Sequence, residues 1–303
     1  MGRNILSALK NFDEFVAIDW SGAKTPIQNS KISMACYDPR LQNIPLFPRP
    51  RWSRRDVFDW ITAQAQTKNR TLIGIDCNFG WSYDRGLSLC GNDFSAHDLW
   101  RLVDKTCNDD QNFCAENFWQ HPTYQSLFWS SGTKPDWFDQ SFLQRRVEII
   151  CSQKNLGNPE SPFKLIGTKQ VGKGGMSGMR LLYQLKQTLG NQIAIWPFDS
   201  MEELNQATIV ITEIYPRLFW KMTGLGNKKI TSPDLIQTAV RAFNPSMNIP
   251  NDICLSDDQS DAFISAVGLS YLCGKSEYVP NAIALPLELP IKLAKTEGWI
   301  FGV

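Results

Sequence analysis

Residues 15–22 read Phe-Val-Ala-Ile-Asp-Trp-Ser-Gly, an apolar run that stops on an acid and turns at Ser21-Gly22. Residues 71–76, Thr-Leu-Ile-Gly-Ile-Asp, repeat that form. An unalternating apolar run is the pattern of a central strand covered on both faces. Around these two, Lys31 to Tyr37 predicts a further strand and Asp38-Pro39 a turn. A short strand over Ile44 to Phe47 then completes an antiparallel meander. Ser53 is placed to cap a helix over 54–67, in which Val57, Phe58, Ile61 and Ala65 share one face.

From 77 to 162 the strand patterns disappear, and Trp, Phe, Asn, Asp and Gly become dense. Helices are predicted at 96–107 and 139–152, so 82–160 reads as an aromatic-rich, mainly helical insertion within a single domain spanning 1–303. Beyond it come a strand over Phe163 to Thr168, a glycine-rich loop from Gln170 to Gly178 and a helix from Met179 to Leu189. Strands at 192–197 and 207–214, helices at 216–222 and 232–243, and a final helix over 257–272 capped by Ser256 follow. This order predicts an α/β layered fold.

The 303 residues are 43% hydrophobic and 20% charged, with a net charge of +1, which excludes global disorder and a wholly basic surface but permits a local basic groove. No apolar run reaches the roughly 18 residues that cross a bilayer. Residues 1–4 do not begin the apolar stretch of a signal peptide, so the expected location is cytoplasmic, with no membrane partner. The eight cysteines form no CxxC pair and only two histidines are present, His97 and His121, so a structural zinc set is not expected.

Five acids stand out by location. Asp19 and Asp76 end two strands, Glu213 lies near the end of a third, and Asp258 and Asp261 are three apart on the last helix and share a face. Ligands in open α/β sheets gather at the carboxyl ends of strands. Each acid alone has a structural reading: Asp257 and Asp258 complement a helix dipole, and a strand-end acid caps a turn. Together, acids in apolar runs carry a burial penalty, and several converging on one crevice repel one another. Mg²⁺ or Mn²⁺ suits such all-oxygen ligands, and two ions about 3.5–4 Å apart would serve the attacking and leaving oxygens of a phosphodiester.

The segments IDWSG (18–22), GIDCNFG (74–80), TEIYP (212–216), DDQSDAFISAVGL (257–269) and EGWIFG (297–302) resemble an uncharacterised bacterial and archaeal family of predicted nucleases with an RNase H-like fold. The resemblance covers most of the chain outside 82–160. It implies an RNase H-like mixed central sheet flanked by helices, with a metal-dependent acid cluster. Asp19, Asp76, Glu213, Asp258 and Asp261 are the matching catalytic and metal-binding positions. Where relatives commonly carry His-Asp at the start of the last helix, this chain has Asp257-Asp258.

A nuclease needs a positive track for phosphates. Arg49-Pro50-Arg51-Trp52-Ser53-Arg54-Arg55 offers one, since arginines at a helix start oppose the macrodipole and Trp52 could stack on a base. Arg51, Trp52 and Arg54 are therefore substrate-binding candidates, together with Lys24 after the Asp19 turn and Lys173 before a helix. The expected function is metal-dependent phosphodiester hydrolysis on nucleic acid, a metal-activated water attacking phosphorus. Two alternatives stand beside it. Asp19-Trp20-Ser21-Gly22 resembles the phosphate loop of actin-like sugar kinases and ATPases, and a crevice without chemistry would make a binding module.

Overall fold

In a computed structural model of the protein, residues 12–23, 31–41, 44–92, 94–107, 112–139, 143–167, 170–226, 232–274 and 291–303 are described. The strands are β1 (Glu14–Asp19), β2 (Ser33–Tyr37), β3 (Thr71–Ile75), β4 (Ile193–Ile195) and β5 (Ile209–Glu213). They form one mixed sheet in the order β2-β1-β3-β5-β4. β1 and β2 are antiparallel; the other three pairings are parallel. The helices are α1 (Arg54–Gln64), α2 (Tyr83–Cys90), α3 (Ala96–Thr106), α4 (Glu116–Trp119), α5 (Arg146–Gln153), α6 (Val171–Leu189), α7 (Met201–Gln206), α8 (Pro216–Met222), α9 (Pro233–Phe243), α10 (Asp257–Gly274) and α11 (Ile291–Glu297). The α/β architecture read from the sequence is the observed one.

Strand alternation splits the interior into two apolar layers. Phe15, Ala17, Leu72 and Val210 pack with residues of α8, α9 and α10. Val16, Ile18, Ile73, Ile75 and Ile211 pack with α1, α3 and α6. Helix α10 crosses β1 and β2, and it approaches β3 at Gly74, where a Cβ would fall 2.9 Å from Leu269 Cδ1. The aromatic insertion joins the second layer. Trp81, against Phe118, Phe128 and Phe163 at ring distances of 5.2–5.8 Å, is continuous with the sheet residues of that face. Among the described residues no helix is long and apolar enough to cross a membrane.

Three segments differ from the sequence reading. The strand expected over 44–47 is one antiparallel bridge, Leu46 to Cys36, because Pro45 and Pro48 cannot donate to a ladder. The strand expected from Phe163 is one parallel bridge, Lys164 to Trp129. The glycine-rich stretch expected to be a loop is the first half of α6. Glycine is a poor helix former, but here it allows close approach. A Cβ on Gly175 would fall 2.1 Å from Asn78 Oδ1, and one on Gly178 2.5 Å from Cys77 Sγ. Packing against the β3 loop thus overrides local propensity.

Candidate active site

The register of the sheet decides which acids meet. Ala17 is paired with Gly74, so alternation puts Asp19 and Asp76, two residues on, on the α10 side of the sheet. Asp258 and Asp261 reach the same end from the first turns of α10. Burial pushes the Asp19 carboxyl well above the usual range, and the charges of Asp76, Asp258 and Asp261 push it further, against the pull of Lys31. Asp76 is likewise pushed well up, by burial first and then by Asp261 and Glu213. Asp258 is raised by burial and by Asp257, with Lys31 opposing. Asp261 is pushed up to about 6, because burial and the neighbouring Asp258 and Asp257 outweigh a hydrogen bond from Trp220 Nε1 and the charge of Arg217. All five predicted acids are therefore electrostatically linked, Glu213 through Asp76. Among the described residues, no three His, Cys, Asp or Glu side chains are set to hold a metal ion between them.

Glu213 is one residue out of phase. It pairs with Ile75, on the opposite face of the sheet. There it is buried, and both its oxygens accept from Arg145, at 2.5 and 2.8 Å. Phe79 N also donates to it, at 3.0 Å. Arg145 is itself buried and donates to Glu148 Oε1 and to the carbonyl of Glu297. The Glu297 carboxylate accepts from Tyr83 N and Arg146 N, both at 2.7 Å. This network ties the end of β5, the insertion and the C-terminal segment together. Burial pushes Glu148 up to about 7 even beside Arg145.

A cleft of about 620 Å³ opens at the strand ends. Its walls are the Trp20–Ala23 turn, the first turn of α6, Asp76 and the Glu213–Arg145 pair, with Lys31 and Tyr215 among its other residues. Asp76 belongs to both the cleft and the acid cluster, whereas Asp19, Asp258 and Asp261 are not among the cleft's lining residues. The turn after Asp19 is pressed onto α6. Trp20 Nε1 donates to Gly174 O and Ser177 Oγ, at 3.1 and 2.9 Å. A Cβ on Gly22 would fall 2.2 Å from Gly174 N.

The proposed phosphate track is corrected in part. Arg54 is fully buried; it donates to Ser21 O, Ala23 O and Asn112 O, so it braces the Asp19 turn from inside. Trp52 is 1% exposed, under the Arg49 guanidinium, and cannot stack on a ligand as it stands. Arg49 pairs with Asp56 and Arg55 with Asp59. The sequence showed a cluster of cations; it did not show that their partners lie in the same helix and in loops far along the chain. Arg51 is exposed, outside the cleft. Lys173 lines the cleft, its Nζ 5.6 Å from the Trp119 ring. Lys24 lies outside the described residues.

Sequence reasoning missed Lys31, Trp220 and Arg145. Arg145 sits 68 residues from Glu213, and nothing local marks either as half of a buried pair. Lys31 is visible only as the first residue of a predicted strand. The corrected roles separate by mutation. Arg54→Met leaves three carbonyls without their donor and is expected to cost about 3 kcal/mol in urea unfolding. Arg51→Ala stays within about 0.5 kcal/mol of the parent.

No protein-family model, no curated protein and no solved structure matches this chain.

Proposed function

We propose that the protein is a metal-dependent phosphodiester hydrolase built on an RNase H-like core. The observation that carries this reading is the set Asp19, Asp76, Asp258 and Asp261, which meet at the strand ends and oppose one another's ionisation. Folding gains nothing from such a set, since like charges out of water are costly. The antiparallel β1–β2 pair beside parallel β3, with an acid ending β1 and another just after β3, supports the RNase H-like core.

The donors are all oxygen, which suits Mg²⁺ or Mn²⁺. Mg²⁺ is usually held by one or two carboxylates, with water and substrate phosphate completing the shell. An open site of that kind fits acids that are close without forming a closed three-residue set. Asp19 and Asp76 would hold the ion, with Asp258 and Asp261 beside it, and it would supply Lewis-acid stabilisation of charge on the phosphoryl oxygens. The remaining work belongs to the chain. Trp220 fixes one oxygen of Asp261, whose affinity for protons near neutral pH suits it to exchange one with a leaving group or water. Lys31 offsets negative charge at the rim. Glu213, held by Arg145 on the other face, positions the end of β5.

Two measurements test the reading. Mn²⁺-dependent hydrolysis of bis(p-nitrophenyl) phosphate is expected in the parent and lost in Asp19→Asn. The second needs no turnover. Because the folded-state values of these acids are raised above 3.8, the native state binds more protons than the unfolded chain, and stability falls as pH rises from about 4 through the folded values, about 6 for Asp261. Mn²⁺ requires the ionised carboxylates, so it should raise Tm strongly near about pH 8 and little near about pH 5. An equal shift at both, or a full shift in Asp19→Asn, would remove the acid cluster as the metal site.

A further inference from the structure

Resting on the hydrolase reading, we infer that the substrate is a small phosphate ester of about single-nucleotide size, and that its phosphate sits between the first turn of α6 and Asp76. Two observations point there. The cleft, at about 620 Å³, has the volume of a small-molecule site. The Trp20–Ala23 turn, clamped onto α6, forms one side of it, and Asn158 to Glu160 form another.

Its wall holds three cations and four carboxylates; Arg145 is held by Glu148 and Glu213, and Glu160 by Lys164, which leaves Lys31 and Lys173 to meet one phosphate group beside Asp76. The start of α6 adds backbone donors. Gln170, at its N-cap, makes no side-chain bond to the first turn and donates to Gly167 O instead. Such a helix start favours an anion.

Duplex recognition needs more. A nucleic-acid groove neutralises some six to ten phosphates and shows a steep salt dependence. The segment that could form such a track is depleted: Arg54 is buried, Arg49 and Arg55 are engaged at the surface by Asp56 and Asp59, and Arg51 stays exposed.

The experiment compares the p-nitrophenyl ester of thymidine 5′-monophosphate with a duplex of about twenty base pairs, both with Mn²⁺, over a range of salt. The small ester should be hydrolysed, with inorganic phosphate as a competitor and a log–log salt slope of about 1–2. Lys173→Gln should raise its KM about tenfold, and Lys173→Arg should restore it. Cleavage of the duplex with a slope steeper than about 5, or duplex outcompeting the small ester, would overturn the inference while leaving the hydrolase reading intact. If neither is hydrolysed, the hydrolase reading fails, and calorimetry with inorganic phosphate alone decides the inference. Binding weakened by Lys173→Gln upholds the phosphate site, and no binding removes it.

Discussion

Asp76→Asn is expected to lose metal-dependent phosphodiester hydrolysis by about 10³-fold or more, and to unfold at a higher temperature than the parent when metal is absent. The two effects have one cause. Asp76 is held among other acids, with burial, Asp261 and Glu213 all opposing its ionisation. At neutral pH that charge is a cost to the folded state, and the isosteric amide removes it. Relief worth about 1 kcal/mol would raise Tm by about 2–4 °C. The loss of rate follows from removing a carboxylate that both faces the cleft and joins the cluster. About 4 kcal/mol of transition-state stabilisation corresponds to the stated factor. An acid with a purely structural role gives the reverse pattern: amidation lowers Tm and spares the rate. Thermal melts in chelator and initial rates in Mn²⁺, on the same preparations, separate the two.

Arg145→Met is expected to destabilise the protein by about 3–5 kcal/mol, because it leaves Glu213 and Glu148 buried without their cation. The Glu297 carbonyl loses a donor as well. A substitution that removes one partner of a buried pair costs far more than one that removes the pair. The triple variant Arg145→Met, Glu148→Gln, Glu213→Gln should therefore recover much of the loss, and that non-additivity is the signature of a closed network. Chemical denaturation of the single, double and triple variants measures it. Equal and additive losses would show that the three groups act independently.

The legible parts of the molecule were those fixed by local pattern. Asp19 and Asp76 could be read as neighbours because two apolar runs end alike, and parallel pairing brings their ends together. The α10 pair could be read because residues three apart on a helix share a face. Glu213 could not be assigned its side of the sheet. Its face depends on the β3–β5 register, and one step of parity carries it away from Asp19 and into the grip of Arg145. The arginines of 49–55 misled for a similar reason. Their number was visible, but the carbonyls of Ser21, Ala23 and Asn112 that claim Arg54 lie 31 to 58 residues away. The glycines of α6 read as a loop by propensity, and they are helical because the β1 and β3 loops press against them.

The most direct test of the acid cluster is anomalous diffraction from crystals soaked in Mn²⁺ at about pH 8, above the value of about 6 to which Asp261 is pushed. A peak bounded by Asp19 and Asp76, and missing from crystals of Asp19→Asn, is the predicted result. Density free of Mn²⁺ at the strand ends, with those four side chains unmoved, would contradict it.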